Sequence, residues 1–212
     1  MKLEIKNITK SFRKEEVLKD ISYTFIDKMI YGIVGINGSG KSVLLKIITG
    51  LYKADKGEIL FDNINYNNDK LFLDFIGACI EYPGFINDLS GLDNLMLLAD
   101  IRKIITKEEI LETLRIVGLF NDKDKKYGDY SLGMRQKLSI AQALMENPKV
   151  IILDEPFNGI DRESVKKIQE ELIRRKENGT LIIITTHIHE DIDELCDKVL
   201  YLENGKLNDK RY

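Results

Sequence analysis

The chain reads as an α/β protein with a sheet at its centre, an antiparallel β lobe at one edge and an α-helical lobe inserted into the core. Three observations predict this. The continuous apolar runs Val150–Leu153 and Leu181–Thr185 suit strands buried on both faces, as in a parallel sheet covered by helices. The first strands and the run Glu58–Phe61 alternate apolar with polar residues instead, the pattern of an antiparallel sheet with one wet face. Between about residues 89 and 147 helical patterns follow one another with no convincing strand among them.

The core elements follow in order. Strands are expected at Leu3–Ile8, Tyr23–Ile26, Ile30–Gly35, Glu58–Phe61, Val150–Leu153, Leu181–Thr185 and Val199–Leu202, separated by helical patterns. Ser90 with Asp93, ahead of L-M-L-L, and Thr106 with Glu109, ahead of Ile110, Leu111, Leu114 and Val117, resemble capping boxes; Gly118 closes the second helix. After Asp161, Val165, Ile168, Leu172 and Ile173 keep helical spacing until Gly179 stops the run. Asn204-Gly205 joins the last strand to the tail as a tight turn would. The expected division is one domain, with an α/β core over 1–80 and 148–212 and a helical lobe over 86–147.

At 212 residues the chain can bury roughly 70% of its unfolded surface, enough for a core without staples or metals. Lys and Arg number 32 and Asp and Glu 35, a net charge of −3 that argues against a general polyanion binder, and no nucleic-acid partner is expected. With 43% hydrophobic and 32% charged residues the composition is globular. Apolar stretches such as Met29–Ile36 fall far short of the roughly 20 residues of a membrane span. The start, M-K-L-E-I-K-N-I, lacks the apolar core of a secretory signal, so a cytoplasmic location is expected. Cys79 and Cys196, far apart and without a Cys/His cluster, read as packed thiols.

The strongest chemical signal is G-I-N-G-S-G-K-S, Gly35 to Ser42, after the strand ending at Val34 and before a helix carrying Leu44, Leu45, Ile47 and Ile48. This is a P-loop in its strand-loop-helix context. Gly35, Gly38 and Gly40, with Asn37 and Ser39 between them, let backbone N–H groups converge on phosphate oxygens, and the helix start adds its positive dipole end. Lys41 is placed to reach the β- and γ-phosphates and Ser42 to ligate Mg²⁺. V-I-I-L-D-E-P then ends a buried strand on two acids, costly there unless they have work. Asp154 would hold Mg²⁺ through water and Glu155 would polarise the attacking water. Together the motifs read as a hydrolase of ATP or GTP.

With Y-S-L-G-M-R-Q at Tyr130–Gln136 added, the chain resembles the ATPase subunits of ABC transporters over nearly its whole length and in that family's order of motifs. The resemblance implies the ABC form of the P-loop NTPase fold, with a RecA-like core, and places Ser131 and Gly133 on the γ-phosphate held by a partner subunit. A serine and a glycine at a helix start suit an anion, and Ser131 is equally suited to be a plain N-cap. Asn158–Asp161 resembles the D-loop, in which Asp161 helps connect two nucleotide sites; it also suits the N-cap of the next helix. His187 matches the switch histidine that contacts γ-phosphate, although a histidine ending a buried strand can be simply hydrogen-bonded structure; His189 lies outside the motif. Phe12 stands where the family stacks an aromatic ring on adenine, with a core position as its rival.

Three residues depart from the family pattern. Glu81 takes the place of the glutamine that touches Mg²⁺ and senses the membrane partner, and a carboxylate can still ligate the metal while adding negative charge beside phosphates. Leu132 and Met134 replace the signature's usual glycine and glutamine. Glu81, the signature and E-Y-P-G-F together look like the bacitracin and lantibiotic export or immunity branch.

The resemblance implies ATP and Mg²⁺ as cofactors and a head-to-tail dimer with a second ATPase subunit, identical or different, around two nucleotides. It also implies a separate transmembrane permease and a peripheral position on the cytoplasmic face of the membrane. Tyr82–Asn87, with Tyr82, Pro83, Phe85 and Ile86, would dock the permease or pack inside the lobe. Two rivals are an ABC-type ATPase acting in translation, DNA metabolism or signalling, and a P-loop kinase or GTPase, which leaves Tyr130–Gln136 and His187 without a task.

Overall fold

A computed structural model describes residues 1–13, 15–65, 75–81, 84–187, 192 and 194–209. The chain begins with β1 (Lys2–Phe12), β2 (Glu15–Ile26) and β3 (Ile30–Val34), then α1 (Lys41–Ile48), β4 (Lys56–Phe61), β5 (Ile64–Asn65) and β6 (Ile76–Cys79). Helices α2 (Gly91–Arg102), α3 (Lys107–Ile116) and α4 (Leu132–Leu144) follow, then β7 (Val150–Asp154), α5 (Arg162–Glu177), β8 (Leu181–Thr186), β9 (Lys198–Glu203) and β10 (Lys206–Asn208).

Two sheets result. One is antiparallel in the order β2-β1-β4-β5; the other runs β10-β9-β3-β8-β7-β6, parallel except for the β9-β10 hairpin. Asn204 and Gly205 both take positive φ at the hairpin turn, as a primed turn requires. The central strands earn their apolar runs by facing two cores. Ile151, Leu153, Ile182 and Ile184 pack with the helical lobe, while Val150, Ile152, Leu181 and Ile183 pack with α1 and the antiparallel sheet. A strand buried on both faces has no position at which a polar side chain escapes desolvation, so its alternation disappears.

The structure corrects several boundaries. β1 and β2 run well beyond Leu3–Ile8 and Tyr23–Ile26, because long antiparallel pairing carries polar residues on the exposed face. β6 carries no strand expectation: Ile76–Cys79 is four residues long and includes Gly77 and Ala78, yet it extends the parallel sheet by pairing with β7, Cys79 opposite Leu153. Burial pushes the Cys79 thiol up to about 12, as a packed thiol requires. Helices α2, α3 and α4 lie between β6 and β7, where the described residues add an isolated bridge from Ser90 to Lys126. Thr106 and Glu109 form the full reciprocal capping box; Ser90 accepts from the Asp93 N–H and donates to the Asp93 carboxylate instead. No described helix is long and apolar enough to cross a membrane.

Candidate nucleotide site

Parallel strands that share one direction present their carboxyl ends along one edge, where open α/β sheets bind ligands. Here the register sets Val34 opposite Thr186 and Asp154 opposite Thr185. The loop Gly35–Gly40, the acids Asp154 and Glu155, and His187 therefore leave the sheet at the same edge.

Gly40 caps α1 at φ 104, a left-handed conformation that side chains resist, and Leu44 N–H returns to its carbonyl at 2.9 Å. Asn37 and Gly38 are exposed, whereas Lys41 is only 6% exposed. Its ammonium donates to the carbonyls of Gly35 at 2.7 Å and Ile36 at 3.4 Å, and lies 3.4 Å from Glu155 Oε1. Ser39 Oγ is buried with no hydrogen-bond partner among the described residues. Such an atom costs free energy unless a ligand oxygen meets it, so the loop fits a phosphate.

Beside the loop, Ser42 Oγ donates to Asp154 Oδ2 at 2.5 Å, and Thr185 Oγ1 donates to Asp154 Oδ1. A hydroxyl and a carboxylate in contact form the hard oxygen set that suits Mg²⁺. Glu155 sits at φ 47, a strained conformation for a residue with a side chain, held by its N–H donating to both the carbonyl and the hydroxyl of Thr185. Its Oε2 accepts from His187 N–H at 3.3 Å and lies 2.7 Å from His187 Nδ1. One carboxylate thus meets Lys41 on one oxygen and His187 on the other.

Other expected residues lie apart from this cluster. Ser131 caps α4, accepting from Met134 N–H at 3.3 Å, and Asp161 caps α5, accepting from Ser164 N–H at 2.9 Å. Both N-cap readings therefore hold. The Lys137 ammonium at 2.7 Å, with the capping hydrogen bond, holds the Asp161 carboxyl far below the usual carboxylate range. Gly133 lies so close to the Gly159 carbonyl that a Cβ would collide with it. Phe12 belongs to neither core; it ends β1 41% exposed, edge-to-face with Tyr52 at 5.8 Å between centroids. Glu81 gives its carboxylate to Lys46 Nζ at 2.5 Å, so of the residues expected at the metal it is not brought to Ser42 or Asp154 in a bond. Tyr82, Pro83 and His189 lie outside the described residues; Phe85 packs edge-to-face on Tyr127 at 5.1 Å, and Ile86 is exposed.

Thr185, Gln136, Lys137 and Lys46 carry contacts that the sequence reading passed over. Thr185 left one trace, a hydroxyl at the end of a buried apolar run; the three others lie on helices and become meaningful only through distant partners.

Residues 18–158 match the ABC transporter family. Similar proteins include YybJ of Bacillus subtilis (strain 168), an uncharacterized ABC transporter ATP-binding protein, 40% identical over 97% of this chain and 94% of that one. The bacitracin transport ATP-binding protein BcrA of Enterococcus faecalis is 36% identical over 97% of this chain and 67% of its own length, and the lantibiotic transport ATP-binding protein SrtF of Streptococcus pyogenes 34% over 97% and 88%. The dimeric structure of MJ0796, a bacterial ABC transporter cassette, superposes with a TM-score of 0.89 at 27% identity, covering 99% of this chain and 100% of that one. A post-hydrolysis state of the same cassette bound to ADP and Pi gives 0.88, with the same coverage and identity. A P-loop between a buried strand and a helix, two acids at the end of β7, one strand removed from the P-loop strand in the same sheet, and a serine-capped helix α4 thus stand in a chain that belongs to the ABC transporter family, as an ATP-binding subunit with ATPase activity.

Proposed function

We propose that two such cassettes pair head to tail around two ATP molecules and that ATP cleavage drives a separate membrane permease. The observation that carries the reading is the double engagement of Glu155 by Lys41 and His187. Gly35–Ser42 supplies backbone N–H groups and the Lys41 charge to the phosphates, and Ser39 Oγ gains the partner it lacks. Ser42, with Asp154 through water, would hold Mg²⁺, which neutralises charge on the phosphates when bound. Glu155 accepts the proton of the attacking water, and His187 orients that carboxylate and meets the γ-phosphate. Glu81 reaches the metal only by leaving Lys46. Phe12, exposed at the end of β1, offers its ring to adenine.

Ser131 and Gly133 in the helical lobe, with Asp161, would complete the partner's site, so that losing the γ-phosphate removes contacts that hold the two copies together. Similarity to bacitracin and lantibiotic transport proteins supports antimicrobial peptides as the cargo class; in this reading the subunit lies on the cytoplasmic face of the membrane and docks the permease beside Glu81 and Tyr82–Asn87. The test is the Glu155→Gln chain with ATP against ADP, read by size-exclusion chromatography with light scattering. A dimer with ATP alone supports the cycle, and equal monomer in both overturns it for the isolated subunit. Co-purification of the tagged chain with a multi-span membrane protein, rather than with ribosomes, tests the transport arm.

A further inference from the structure

The residues that act on a chain's own nucleotide and those it offers to a partner's nucleotide meet inside this one chain, along α4. Gln136, 7% exposed, donates through Nε2 to the Glu155 carbonyl at 3.3 Å. One residue on, Lys137 reaches Asp161 Oδ2 at 2.7 Å with its side chain 12% exposed. Between these points the start of α4 rests on the backbone of the same loop, because Gly133 has no Cβ to strike the Gly159 carbonyl. The far end is pinned as well: Arg175 of α5 donates to the Leu144 carbonyl at 3.0 Å and to Asn147 Oδ1 at 3.4 Å.

α4 and the segment 155–161 are therefore joined at three successive places by groups that leave little room for independent movement. A packed unit of this kind shifts as a whole rather than deforming. We propose that Lys137 is a positioning residue that locks the Asp161 end of this loop to the Ser131-capped helix, so that each protomer's signature and its own Glu155 move as one body and the two nucleotide sites of a dimer sense each other. Lys137 touches no nucleotide in this scheme; it acts through Asp161 and the loop. The inference rests on the head-to-tail dimer proposed above.

The test uses the full chain with Lys137→Met and Lys137→Arg. The readouts are equilibrium binding of a fluorescent ATP analogue, steady-state phosphate release against ATP concentration, and thermal unfolding. Lys137→Met is expected to bind the analogue within about twofold of wild type, because Lys41 and Ser42 are untouched, while kcat falls by about tenfold, as a displaced reacting group requires. Its Hill coefficient should fall toward 1, and Lys137→Arg should restore both values. Unchanged kcat and Hill coefficient in a folded Lys137→Met overturn the proposal, as does an arginine variant that folds and fails to rescue. If Lys137→Met does not fold, Lys137→Gln takes its place under the same criteria. A wild-type chain that hydrolyses ATP without cooperativity removes the dimer reading and this inference with it; a cooperative wild type beside an unaltered Lys137→Met removes this inference alone.

Discussion

His187 Nδ1 lies 2.7 Å from Glu155 Oε2, and the residue it contacts is held at φ 47 by the carbonyl and hydroxyl of Thr185. A left-handed residue with a side chain costs on the order of 1–3 kcal/mol and persists where its surroundings over-determine it. The two hydrogen bonds from Glu155 N–H and the one accepted by its carbonyl from Gln136 provide that constraint. The carboxylate is thereby aimed between Lys41 and His187.

Replacing Glu155 with Gln keeps the shape of the side chain and removes the base proposed for the reaction. Nucleotide affinity should stay near wild type while turnover falls by roughly 10²–10⁴, the usual share of a general base. His187→Ala should lower kcat more than it weakens binding, since His187 contacts Glu155 while Gly35–Ser42 supplies most of the proposed phosphate contacts. Analogue binding and phosphate release on the same preparations check both, and full turnover by Glu155→Gln would remove that residue from its role.

Ser131 caps α4, the proposed dimer gives it an anion to meet, and one substitution separates the two. Ser131→Ala should cost about 1 kcal/mol through loss of the bond from Met134 N–H. Ser131→Asp should retain the cap and the stability while setting a negative charge against a partner's γ-phosphate. Its ATP-dependent dimer in the Glu155→Gln background should disappear. Light scattering and urea unfolding measure the two effects, and an intact dimer from Ser131→Asp would leave the serine a cap only.

Lys46 reaches Glu81 at 2.5 Å, and 62% of the Glu81 side chain is exposed, so solvent screens the pair. Glu81→Gln should therefore change stability by less than about 1 kcal/mol. If the carboxylate joins the metal during turnover, the same variant should raise the Mg²⁺ concentration needed for half-maximal phosphate release. A Mg²⁺ titration checks this, and an unshifted midpoint would confine Glu81 to its contact with Lys46.

Acid sensitivity follows from the interior pair Glu171 and Arg175, whose side chains are 7% and 8% exposed. Burial by itself would raise the Glu171 carboxyl, but hydrogen bonds from Arg174 and Arg175 outweigh it and hold the group below 4.5. The folded chain thus binds fewer protons here than the unfolded one. This stabilisation is complete above the unfolded value and is lost as pH falls through the folded one, at most about 1.4 kcal/mol per pH unit for one proton. Urea midpoints should hold from pH 7 to about 5 and decline below 4.5. Glu171→Gln should flatten part of that decline while costing about 3–5 kcal/mol at pH 7, because it leaves Arg175 buried without a counter-charge.

Amino-acid order by itself determined the phosphate loop, the two acids after Val150–Leu153, the central strands and the capped helices, because each is set by chain neighbours: glycine spacing, apolar runs, a hydroxyl ahead of a helix. Tertiary structure decided the rest. Ile76–Cys79 is a strand only because β7 offers it an edge, and Phe12 is exposed because β1 ends beside Tyr52 rather than in a core. Glu81 faces Lys46, and Lys137 reaches Asp161, across gaps in the chain that no local pattern spans. Propensity and periodicity are read over a few residues, whereas a side chain's partner is fixed by how strands and helices pack, and it is there that α4 meets the segment 155–161 through Gln136, Gly133 and Lys137.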